Sequence, residues 1–172
     1  MRALSIALAG AMLASTPAAA QTVDEQALLH QLAADVRPER MRADITALVG
    51  FGTRHTMSET VSDTRGIGAA RRWAQAQFEA ISRDCGGCLT VVTPSDTITA
   101  ARVPTPTEVV DIVAIQRGTG DPNRVIIISG HIDSRVTDVM NFTADAPGAN
   151  DDASGVAAVL EAARVLSKHR FE

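Results

Sequence analysis

The residues of this chain that could do chemistry gather between Ser129 and Gly155, in the stretch SGHIDSRVTDVMNFTADAPGANDDASG. His131 and Asp133 stand two apart, and Asp151 and Asp152 follow about twenty residues later. An imidazole and several carboxylates are donors suited to zinc, and a catalytic zinc keeps one position open for water. In that chemistry His131 supplies a nitrogen ligand, and Asp151 a carboxylate able to bridge two ions through one oxygen each. Asp133 is spaced to accept the imidazole's other N–H and fix its tautomer, the support that metal-bound histidines usually have. The plainer alternative is that these acids cap a helix, since carboxylates favour a helix N-terminus. It suits Asp152 and Ser154, but it leaves His131 and the number of acids unexplained.

Elements on both sides must bring these residues together. Val125-Ile126-Ile127-Ile128 is a run of β-branched apolar residues, which reads as a strand buried on both faces. His131 lies just past its end, where open α/β sheets place their sites. A closing helix is expected from about Ser154 to Lys168, burying Val156, Val159, Leu160, Ala163 and Leu166. An irregular loop, Ser134 to Ala149, joins the two.

Upstream, helical spacing runs from Asp24 to Val36, with Ala27, Leu28, Leu29, Leu32, Ala33 and Val36 on the apolar side and His30 exposed. Pro38 suits the first turn of a second helix that ends at Gly50. Both read as short packing helices. The polar loop Phe51–Thr64 contains Arg54-His55, expected as a solvated pair. Ser62-Asp63-Thr64 offers caps for a helix over Gly66–Ile81, in which Trp73 and Phe78 are core anchors. Leu89–Val92 and Val109–Ile115 read as strands, with an edge segment or hairpin arm between them. The turn Gly118–Asn123 predicts an antiparallel hairpin between Val109–Ile115 and Val125–Ser129. The fold class is therefore α/β, with a mixed, mostly parallel sheet flanked by helices.

Length and composition bound the rest. The 172 residues suffice for one domain with a real core. Met1-Arg2, the apolar stretch Leu4–Leu13 and the small residues Pro17-Ala18-Ala19-Ala20 form a secretory signal pattern, cut before Gln21 and too short to span a membrane. The mature protein is expected to be exported, periplasmic or secreted, with no membrane span. The organisation that follows is a leader over 1–20, N-terminal helices over 21–50 and the catalytic-type domain over 51–172. A net charge of −4, without a basic run, and the absence of tyrosine argue against nucleic acid as a partner. Cys85 and Cys88 are the two cysteines. In an exported chain they read as a small disulfide. A redox motif would want a strand before the pair and a helix after it, and a zinc knuckle would need further soft ligands.

The sequence GHIDS, followed by APGANDDASG and then VAAVLEAARVLS, resembles the di-zinc aminopeptidase family typified by secreted bacterial leucine aminopeptidases. Glutamate carboxypeptidase and glutaminyl cyclase are relatives of that family. The motif pair is specific in residues and spacing, and a looser match reaches back through the strands to the FGTRHT loop. The resemblance implies a zinc exopeptidase-like α/β sandwich, a peptide substrate and two zinc ions. It makes His131 the ligand of one zinc, Asp151 the carboxylate bridging both, and Asp133 the partner of the histidine. It also implies a cis peptide between Asp151 and Asp152. The family's later Glu-Glu pair, further acidic ligand and second histidine have no counterpart in these residues, so the resemblance is to the N-terminal portion, expected to be inactive alone. Within it, the implied activity is that of an aminopeptidase. A carboxypeptidase, a glutaminyl cyclase or a non-catalytic secreted binding module are the competing readings.

Overall fold

The computed structural model describes residues 24–172. The expected leader over 1–20 lies outside the described residues. Among the described residues the α-helices α1 (Glu25–Asp35), α2 (Pro38–Gly50), α3 (Gly66–Asp84) and α4 (Ser154–Leu166) accompany the strands β1 (Leu89–Val92), β2 (Ser95–Ala100), β3 (Val103–Val110) and β4 (Val113–Gln116). Among the described residues no helix is long and apolar enough to cross a membrane.

The core lies where α2, α3, β1 and α4 meet, at Leu48, Phe78, Ile81, Leu89, Val156 and Leu160. Helix α3 forms because Ile67, Ala70, Ala74, Phe78 and Ile81 recur on one face, and all are buried. Trp73 is half-buried and meets Phe51 edge to face, with ring centroids 6.3 Å apart. The expected caps Ser62–Thr64 do not start this helix. Ser58 does, its Oγ accepting from the Ile67 amide at 2.9 Å, while Gly66 enters at φ +83, with Glu59 O only 2.4 Å from where a Cβ would stand. At its other end Cys85 and Cys88 are joined as a disulfide, as expected, and turn the chain into β1.

Helix α2 docks on α4 through Leu48 and two ion pairs, Asp44 with Arg164 and Arg40 with Glu161. Truncating a fully buried leucine such as Leu48 typically costs about 2–5 kcal/mol. Helix α1 differs from expectation, for it buries none of its residues and Leu29 is open to solvent. Its apolar face finds only a slight contact with α4. His30 is exposed, as expected.

The strands pair as two antiparallel ribbons, β1 with β4 and β2 with β3. The β2–β3 ribbon is the hairpin arm expected between the two strand segments. No parallel pairing occurs among the described residues, which hold a mixed α and β structure. The expected hairpin between Val109–Ile115 and Val125–Ser129 does not form. The first segment breaks at Asp111-Ile112, its ends going to separate ribbons. The turn beyond β4 is drawn instead to the chain's end, with the Thr119 amide donating to Phe171 O at 2.9 Å and Gln116 Nε2 to His169 O at 2.7 Å. Val125–Ile128 consequently runs without a ladder partner and exposed, Ile126 at 89%.

Candidate metal centre

The site is built where the segment Gly130–Ser134 meets the turn that opens α4. Residues Ala149–Ala153 make a wide turn in which Asp151 and Asp152 leave helical geometry, and the peptide between them is cis, as the resemblance implied. Gly130 allows the approach, because a Cβ there would lie 2.7 Å from the Gly155 carbonyl carbon. Asp152 holds the two segments together. Its Oδ2 accepts from the His131 amide at 3.1 Å and its Oδ1 from the Gly155 amide at 3.0 Å. The helix-capping reading of Asp152 is thus correct as far as it goes, and the same carboxylate also fixes His131. Ser154 does not cap; its hydroxyl donates to Asn150 O at 2.8 Å.

This packing turns His131 between two carboxylates. Its Nδ1 lies 3.1 Å from Asp133 Oδ1, and its Nε2 lies 3.1 Å from Asp151 Oδ1. Asp133 is steadied in turn by the Thr56 hydroxyl, which donates to Oδ2 at 3.3 Å. Burial by itself would lower the His131 pKa. The charge and hydrogen bond of Asp133, with the charge of Asp152, outweigh it and hold the imidazole above its ordinary value. A protonated ring can donate to both carboxylates at once. With Nδ1–H committed to Asp133, loss of the other proton leaves the Nε2 lone pair aimed at Asp151.

One imidazole nitrogen and one facing carboxylate are donors that zinc accepts. Among the described residues no group of three or more His, Cys, Asp or Glu side chains is arranged around one point. The side chains of His131 and Asp151 are both largely exposed, at 58% and 88%.

The loop that follows α2 differs most from expectation. Arg54 and His55 are buried rather than solvated. The loop is drawn in because its polar groups find backbone partners: His55 Nε2 meets Val139 O at 3.1 Å, its Nδ1 accepts from the Met57 amide at 3.1 Å, and the Arg54 guanidinium is ringed by carbonyls. Thr56 and Ser134, both of which touch the site, escape a reading of the sequence by ligand chemistry. The clustering of Arg54, His55 and Thr56 in a short segment between two helices was the available signal.

The model of "Peptidase family M28" matches residues 111–172, which contain His131, Asp133, Asp151 and Asp152. This is the family that the GHIDS and NDDASG motifs resemble. It is 50% identical over 137 residues to a probable zinc metalloprotease of Pyricularia oryzae, covering 79% of this chain and 27% of that protein. A probable zinc metalloprotease of Pyrenophora teres f. teres is 47% identical over 151 residues, 87% of this chain and 31% of its own length. One of Leptosphaeria maculans is 48% identical over 146 residues, 84% and 33% respectively. The chain spans about a third of the length of these relatives.

Proposed function

We propose that the chain is the part of a zinc-dependent exopeptidase that supplies His131 and Asp151 to the metals, and that the whole protein removes N-terminal residues from peptides. The observation that carries this reading is the pairing of His131 Nε2 with Asp151 Oδ1 at 3.1 Å while Asp133 holds Nδ1. A histidine with one nitrogen committed to a carboxylate and the other free is oriented as a ligand. The match of residues 111–172 to the model of peptidase family M28 and the names of the relatives support zinc and a peptide substrate.

In this reading His131, through Nε2, and Asp151, through its carboxylate, would hold the zinc. Asp133 keeps His131 in the tautomer that presents Nε2, and Asp152 fixes its main chain to the start of α4. Bound zinc supplies Lewis acidity toward the scissile carbonyl and lowers the pKa of a water molecule. A catalytic zinc would need further donors and a general base beside these two residues. The fold completed by them is a zinc exopeptidase-like sandwich whose sheet includes Val125–Ser129 as a strand.

We further place the protein outside the cytoplasm after loss of residues 1–20. The leader pattern supports this, as does a disulfide between the two cysteines of the chain, since such bonds persist in oxidising compartments. Intact mass of the exported protein tests it: a chain starting at Gln21 is expected, and a retained Met1 would refute it.

The function is tested by supplying zinc to the full-length protein and assaying free and N-acylated aminoacyl substrates. Chelator-sensitive cleavage restricted to free N-termini is expected. Hydrolysis of N-blocked peptides from the C-terminus, or none at all, would overturn the aminopeptidase assignment.

A further inference from the structure

Arg54 is 1% exposed, and its acceptors are all backbone carbonyls. Nε donates to Ile132 O at 2.8 Å. Nη1 donates to Leu48 O at 2.9 Å and Pro147 O at 2.8 Å, and Nη2 to Gly148 O at 3.0 Å. These carbonyls have a pattern. Ile132 lies between His131 and Asp133, Pro147 and Gly148 begin the turn that carries Asp151, and Leu48 belongs to the scaffold helix α2. The main chain of Arg54 adds to the hold, since its amide donates to Ser134 Oγ at 3.1 Å and its carbonyl accepts from the Ser134 amide at 3.2 Å.

Burying a guanidinium among neutral carbonyls is an expensive way to fill space, because a charge removed from water is costly unless hydrogen-bonded. Burial indeed pushes the Arg54 pKa down against the opposing pull of Asp133. What the guanidinium offers instead is a rigid planar fork of N–H donors. A lysine has a single nitrogen and cannot span carbonyls on three separate segments. Gly148 completes the fit, since a Cβ there would stand 2.6 Å from the Ser134 Cβ and 3.0 Å from Arg54 Nη2.

We propose that Arg54 is a positioning residue that sets the separation of His131 and Asp151 by binding the carbonyls of both ligand-bearing segments at once. It touches neither ligand side chain and acts through the backbone that presents them. The inference rests on the reading of His131 and Asp151 as zinc ligands.

The test compares the wild-type protein with Arg54→Lys, Arg54→Met, Arg164→Met and His131→Ala. Zinc affinity is measured by competition with a chromogenic chelator, ligand geometry by the visible spectrum of the cobalt-substituted protein, and stability by thermal unfolding. Arg164→Met breaks the buried pair with Asp44 between α2 and α4 and serves as a destabilised reference remote from the ligands. Both Arg54 variants are expected to bind zinc about 10–100-fold more weakly, the usual effect of losing a ligand's support, with a changed cobalt spectrum. Arg164→Met is expected to unfold earlier yet keep wild-type affinity and spectrum. Folded Arg54 variants with wild-type affinity and spectrum would overturn the inference, as would an equal loss in Arg164→Met. Should neither Arg54 variant fold, nitrogen-15 spectra of the wild-type guanidinium decide. Its Arg54 resonances should shift as zinc is added, and their indifference would overturn the proposal. Equal zinc affinity in wild type and His131→Ala would instead refute the ligand reading itself, and the role of Arg54 with it.

Discussion

His131 Nε2 and Asp151 Oδ1 stand 3.1 Å apart, although a long irregular loop separates the two residues in the chain. Asp133 Oδ1 holds the opposite ring nitrogen at the same distance. The two acids therefore stand in different surroundings. Asp151 presents its carboxylate outward, 88% exposed, while Asp133 is tied to Thr56 and the imidazole. Asp151→Asn in the full-length protein should abolish activity and cut its zinc content. Asp133→Asn should lower activity by about 10–100-fold. Equal losses with unchanged zinc content would contradict these roles.

The pairing of Glu161 with Arg40 predicts a response to acid. Burial would raise the Glu161 pKa, but hydrogen bonds from Arg40 and the Arg37 amide, with the charges of Arg40 and Arg164, hold it below the ordinary value. A carboxyl with a depressed folded-state pKa adds stability above its unfolded value, about 4.3, and loses it as pH falls through the folded value. Glu161→Gln should thus be less stable at neutral pH by about 1–3 kcal/mol, less than the loss for a fully buried pair because Arg40 is partly exposed. The difference from wild type should shrink in acid. Denaturant unfolding at neutral pH and near pH 3 measures it, and a constant difference would refute the linkage.

Much of this was legible in the sequence. The spacing of His131 and Asp133 and the NDDASG run point to the candidate site, and α2, α3 and α4 follow from apolar periodicity. The errors share a cause. Val125–Ile128 has the composition of a buried strand, but β propensity describes a fit to neighbours, and the described residues give it none. The polar loop makes Arg54 look solvated, whereas one carbonyl from the end of α2 and three from distant parts of the chain enclose it. Neither context can be seen from local sequence. The double use of Asp152 was hidden for the same reason, since its second acceptor oxygen meets a residue across the loop.

The unpaired segment has a consequence for the chain by itself. Val125, Ile126 and Ile127 are each more than 70% exposed, beside main chain without ladder partners, and exposed apolar edges of this kind promote association. The isolated chain should self-associate as its concentration rises, and Ile126→Lys should suppress this. Sedimentation velocity reads it directly. A wild-type chain that stays monomeric at all concentrations would show that the segment is covered.

The Cys85–Cys88 bond closes a short turn between α3 and β1. Chain-entropy reasoning for so small a loop gives about 2 kcal/mol of stability, so Cys85→Ser should lower the unfolding free energy by that order without altering zinc affinity. Thiol labelling of the unfolded, unreduced wild type should find no free thiol. Two labelled cysteines would disprove the bond.

The most direct test of the central claim is anomalous diffraction at the zinc edge from crystals of the zinc-loaded protein. A peak is expected about 2.0–2.1 Å from His131 Nε2 and about 2.0–2.2 Å from an Asp151 oxygen, absent in crystals of His131→Ala. Zinc found elsewhere, or retained unchanged in that variant, would contradict it.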